Sequence, residues 1–137
     1  MTFDEQIIFI ENNDFDTLIN FANEQDFIKY INPYAVSSLN LSKIRNFLTS
    51  CVEEKFKKTK LKSKPYKLVL DPTNACNLGC PLCPTGLGAS SRKKGVLKIE
   101  QFLEIIEQFK DFVIEVHLYN WGEPTMNKKL NEMLSYC

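Results

Sequence analysis

Three of the chain's five cysteines, Cys76, Cys80 and Cys83, fall within eight residues at the spacing Cys-x3-Cys-x2-Cys. The surrounding stretch, residues 70–85, is rich in Asn, Gly and Pro, residues that build tight turns and let a short loop aim several sulfurs the same way. Thiolates are soft ligands suited to zinc, copper(I) and the iron of iron–sulfur clusters. Structural zinc takes four protein ligands and most clusters take four thiolates, so three leave one metal position open for chemistry. On spacing alone two alternatives stay open: a zinc site completed elsewhere in the chain, and three reduced thiols without metal. A disulfide framework is disfavoured, because the cysteine count is odd and nothing marks the chain as secreted.

Two strands and a helix must position this loop. Residues 66–71 alternate, with Tyr66, Leu68 and Leu70 on one face and Lys67, Val69 and Asp71 on the other, which predicts a strand ending at Pro72. A basic connector over residues 86–95 follows, then Leu97, Phe102, Ile105, Ile106 and Phe109 at the spacing of an amphipathic helix. Residues 112–119 alternate again. Ile114, Val116 and Leu118 suit packing against helices, whereas Glu115, His117 and Tyr119 suit the interior of an open barrel holding a polar ligand. Strand, helix, strand is a βαβ unit with parallel strands and a right-handed crossover. Both following loops, the cysteine loop and Asn120-Trp-Gly-Glu-Pro124, then lie at strand C-termini, where α/β folds bind ligands. His117, the one histidine, is expected to be hydrogen-bonded rather than catalytic.

The two loops together resemble those of the radical S-adenosylmethionine (SAM) enzymes. The resemblance implies a 4Fe–4S cluster on Cys76, Cys80 and Cys83, with its fourth iron chelating the amino and carboxylate groups of SAM. It also implies that Gly122, Glu123 and Pro124 face the SAM amino group, and that Leu82 packs on the adenine. The sequence departs from the family pattern at Trp121, which stands where the first glycine of a Gly-Gly-Glu-Pro segment is usual, and at Leu82, where an aromatic residue is common. Cys-Pro-Leu-Cys-Pro-Thr-Gly is similar to the branch whose members often carry a C-terminal SPASM domain. The implied activity is reductive cleavage of SAM to a 5'-deoxyadenosyl radical that takes hydrogen from an unidentified substrate. An electron donor such as flavodoxin or ferredoxin is the implied partner.

The resemblance covers residues 66–137. It implies an α/β fold in which an N-terminal helical region is followed by the first βαβ unit of a partial (β/α) barrel, truncated within its second helix, where Leu130 and Leu134 share a side. Such a piece is expected to be inactive alone. A non-catalytic metal-binding module, zinc or iron–sulfur, and an inactive truncated fragment are the competing readings.

The rest of the chain frames this picture. At 137 residues, 44% hydrophobic and 12% aromatic, the sequence supports a packed core. Residues 2–57 read as helical, with a break at Pro33 and a helical stripe of Leu41, Ile44, Phe47, Leu48, Cys51 and Val52 that makes Cys51 a core residue. Residues 1–63 are read as a helical region with a basic linker, and 64–137 as the barrel part. Residues 1–26 carry seven acids and no Lys or Arg, and residues 55–67 seven lysines and no acid, which reads as a solvated face. A net charge of zero argues against a nucleic-acid partner. No signal peptide or apolar run long enough to span a bilayer is visible, so a cytoplasmic protein with no membrane partner is expected.

Overall fold

The computed structural model describes residues 1–88, 91 and 93–137; the expected basic connector over residues 86–95 therefore lies partly outside the described residues. The chain forms two compact units, residues 1–67 with 109–115, and residues 68–108 with 116–137.

The first unit is helical because its sequence supplies both apolar stripes and caps. Thr2 and Glu5 form a reciprocal capping box that starts α1 (Phe3–Asn12), and the Asp14 carboxylate accepts the Thr17 N–H at 2.9 Å to start α2 (Phe15–Glu24). Two short 3-10 helices follow, the second opened by Pro33 at a position where its missing N–H costs nothing. The longest helix, α3 (Leu41–Lys55), is capped by Asn40. Ile10, Leu18, Ala22, Ile44, Phe47, Leu48 and Val52 are all fully buried in one core. Cys51 lies in it as expected, and burial pushes its thiol up to about 12, so it stays protonated and unreactive.

The lysine-rich connector is exposed as expected, but its backbone is tied down. Glu53, 1% exposed, accepts from the backbone N–H of Lys62 and from the Ser63 hydroxyl at 2.6 Å. Asn46 donates to the Lys64 carbonyl at 3.0 Å and accepts the Lys64 N–H at 2.7 Å. A buried carboxylate is tolerated only when its oxygens are satisfied, and here the satisfying donors come from the connector itself.

The two strands pair in a small parallel sheet, β1 (Lys67–Val69) with β2 (Glu115–His117), each shorter than the alternating pattern suggested. The chain is therefore mixed α/β. Glu115, expected to face a polar ligand, instead pairs with Lys67 at 2.9 Å and accepts the Asn32 N–H at 2.8 Å.

In the second unit α4 (Ile99–Phe109) buries Phe102 and Ile106 in a core with Leu118 and Met133. The last helix, α5 (Leu130–Tyr136), turns Met133 inward and leaves Leu134 56% exposed. Of the residues near the side that Leu130 and Leu134 were expected to share, it is Met133 that packs with Leu130 in the core.

Candidate metal centre

The cysteine loop is built outward from the end of β1. Pro72 has no N–H to extend the ladder, and the chain turns into Thr73, 2% exposed. The Thr73 hydroxyl donates to the Gly95 carbonyl at 2.8 Å and accepts the Ala75 N–H at 3.1 Å. Asn74 accepts the Gly95 N–H at 2.6 Å and donates to the Lys93 carbonyl at 2.7 Å. An antiparallel bridge between Thr73 and Val96 completes the stitching. The base of the loop is thereby closed by side chains standing just ahead of Cys76.

Within the loop each cysteine has a distinct setting. Cys76 is half-buried, and its sulfur accepts the Leu78 N–H at 3.4 Å. Cys80 is exposed and opens a turn in which the Cys83 N–H donates to its carbonyl at 3.2 Å, with Pro81 at the turn position that proline favours. Gly86 folds back on that turn so closely that a Cβ on it would stand 2.7 Å from the Cys80 nitrogen and 2.8 Å from the Cys80 oxygen. The backbone N–H groups of Gly86 and Thr85 at the Cys83 sulfur hold its thiol below its ordinary pKa. Leu82, between the last two cysteines, is 94% exposed.

Among the described residues no group of three or more His, Cys, Asp or Glu side chains is arranged to hold a metal ion. The three thiols share a loop but not a common centre. Their chemistry nonetheless fits thiolate ligation: three soft donors on one loop, with a backbone N–H at the Cys76 sulfur and backbone N–H groups at Cys83 that favour its ionised form. Cys76, Cys80 and Cys83 are the residues that would hold such a metal or cluster.

The second loop is docked on the first. The Trp121 N–H donates to the Asp71 carboxylate at 3.0 Å, and the Glu123 N–H donates to the Ala75 carbonyl at 2.8 Å, next to Cys76. Between them Gly122 lies against Thr73 so tightly that a Cβ would be 1.7 Å from the Thr73 carbonyl oxygen. Only glycine allows that approach. The Glu123 carboxylate accepts from the Thr125 hydroxyl at 2.6 Å and the Thr125 N–H at 3.1 Å, and these bonds lower its pKa, so it is ionised at neutral pH. Pro124 begins the short 3-10 helix that Glu123 caps.

Trp121, in place of a glycine, is 42% exposed and does not obstruct the docking, which uses its backbone N–H. His117 is hydrogen-bonded as expected, its Nδ1 lying 2.8 Å from the Tyr119 hydroxyl on the same side of the strand. Asn127 escaped the sequence reading, where it only began the final helix. It is 3% exposed and fully engaged, donating to the carbonyls of Pro72 and Leu97. The one signal available was an asparagine soon after a Pro-initiated turn, which is too common to single out a residue.

No protein-family model matches this chain, and no curated protein or solved structure matches it.

Proposed function

We propose that this chain carries the cluster- and SAM-binding part of a radical SAM enzyme, in the branch that resembles the SPASM proteins. The observation that carries this reading is the hydrogen bond from Glu123 to Ala75, with Gly122 pressed on Thr73. Two motifs far apart in sequence, each weak or ambiguous alone, meet at the ends of neighbouring parallel strands, as a shared ligand would require. The βαβ unit is read as the opening of a partial (β/α) barrel.

When bound, the 4Fe–4S cluster with SAM supplies one-electron cleavage of SAM to methionine and a 5'-deoxyadenosyl radical, which takes a hydrogen atom from the substrate. The chain's own residues hold and orient. Cys76, Cys80 and Cys83 supply the thiolates. Glu123, kept ionised by Thr125, pairs through its carboxylate with the SAM ammonium. Gly122 brings backbone close to that group. Leu82, with its side chain exposed, offers an apolar surface to the adenine in place of a stacked ring. The electron comes from a donor such as flavodoxin or ferredoxin, and a reducing cytoplasmic setting keeps the thiols free.

Anaerobic reconstitution with iron and sulfide tests this reading. About four iron and four sulfide per chain are expected, as for a 4Fe–4S cluster. One tightly held zinc per chain with no sulfide, after anaerobic purification, would replace the proposal with a structural zinc module.

A further inference from the structure

Asn127 bonds to segments that flank both loops of the candidate site without itself belonging to either motif. Its side-chain amide donates to the Pro72 carbonyl, just ahead of the cysteine loop, at 2.8 Å, and to the Leu97 carbonyl, beyond the connector that follows that loop, at 3.1 Å. Its backbone N–H donates to the Pro124 carbonyl at 2.9 Å, closing the turn that follows Glu123, and its side-chain oxygen accepts the Lys129 N–H at 2.8 Å. A planar amide of this length is needed: aspartate has no donors for the two carbonyls, and glutamine is one carbon too long. Asn127 is 3% exposed and its bond to the Pro72 carbonyl is buried, so water cannot take over that partner.

We infer that Asn127 is a positioning residue for the thiolate site. By clamping both ends of the loop to the Glu123 turn, it fixes the base from which Cys76, Cys80 and Cys83 are presented. This rests on the reading of the cysteine loop as a ligand site. It acts through the loop backbone, as the residues that orient metal ligands commonly do, and losing such a residue typically weakens metal binding 10- to 100-fold.

The test uses the full chain and two readouts: cobalt(II) alone as a spectroscopic probe of thiolate binding, and amide hydrogen exchange of the metal-free protein. Asn127→Asp keeps the shape and turns a carboxylate on two carbonyls. Cobalt affinity is expected to fall roughly 10- to 100-fold, with exchange across residues 72–98 about tenfold faster or more and that of residues 3–55 unchanged. Met133→Val is the control, since Met133 is fully buried in the same unit's core and makes none of these bonds. At a matched loss of unfolding temperature it should leave cobalt affinity close to wild type. Equal losses of affinity in the two variants would make Asn127 a merely structural residue and overturn the inference, as would wild-type exchange and affinity in Asn127→Asp. If wild-type protein binds cobalt through thiolates yet ignores SAM, the radical SAM reading falls while the positioning role stands. If wild type shows no thiolate–cobalt band, the ligand-site reading falls and the inference falls with it.

Discussion

Replacing any one of Cys76, Cys80 or Cys83 by alanine is expected to remove most of the iron bound after anaerobic reconstitution, whereas Cys51→Ala leaves it unchanged. The three loop thiols lie on one turn-rich segment, and the backbone N–H groups at Cys83 favour the thiolate that a metal needs. Removing one leaves two thiolates to hold a cluster ordinarily held by more, and the cofactor becomes labile. Cys51 differs in kind: it is 6% exposed, packs in the helical core, and has its thiol held protonated by burial. Trimming so small a buried side chain should cost about 1 kcal/mol of stability. Colorimetric iron on the four variants, with thermal unfolding of Cys51→Ala alongside, separates the two classes. Loss of about a quarter of the iron in Cys51→Ala, or full iron in any one loop variant, would reverse the assignment of ligands.

Gly122→Ala should weaken SAM binding and destabilise the fold. The added methyl would stand 1.7 Å from the Thr73 carbonyl oxygen, 2.7 Å from its carbon and 3.1 Å from the Asn74 Cα, all of them backbone atoms that cannot swing aside. Overpacking a rigid site costs about 1–3 kcal/mol, and more where backbone must move. The shift would separate the Glu123 N–H from the Ala75 carbonyl and displace the carboxylate proposed to pair with the SAM ammonium. A loss of SAM affinity of at least about tenfold, roughly 1.4 kcal/mol, is expected. Gly95→Ala serves as the control, since its added methyl meets nothing within 4 Å. Equilibrium dialysis with SAM and thermal unfolding report both effects. Near-identical behaviour of the two glycine variants would show that the docking of the loops does not matter to the site.

Much of this arrangement was legible in local sequence, and the remainder depended on partners distant in the chain. Helices α1 to α3 announced themselves through apolar spacing, whereas the caps at Thr2 and Asn40 became visible only in the structure. The strands were visible but overlong. Alternation marks which residues share a face, yet the N–H groups of Phe112 and Val113 both go to the Phe109 carbonyl, finishing the turn out of α4 before pairing with β1 can begin. Spacing alone puts both Leu134, four residues on, and Met133, three residues on, near the side of Leu130, and only the structure shows that Met133 is the one buried. The connector read as free because its anchors, Glu53 and Asn46, are 9 to 18 residues away. At the site, the cysteines and the Gly-Glu-Pro segment were legible as types at a spacing. Gly122's contact with Thr73 and Asn127's bonds to Pro72 and Leu97 were not, because their partners lie across the fold.

Electron paramagnetic resonance of the reconstituted, dithionite-reduced protein, recorded with and without SAM, bears most directly on the claim that the three-cysteine loop leaves one metal position for SAM. The expected result is a reduced 4Fe–4S signal whose shape changes when SAM is added, with that change lost in Gly122→Ala. A cluster signal identical with and without excess SAM, in protein of full iron content, would contradict it.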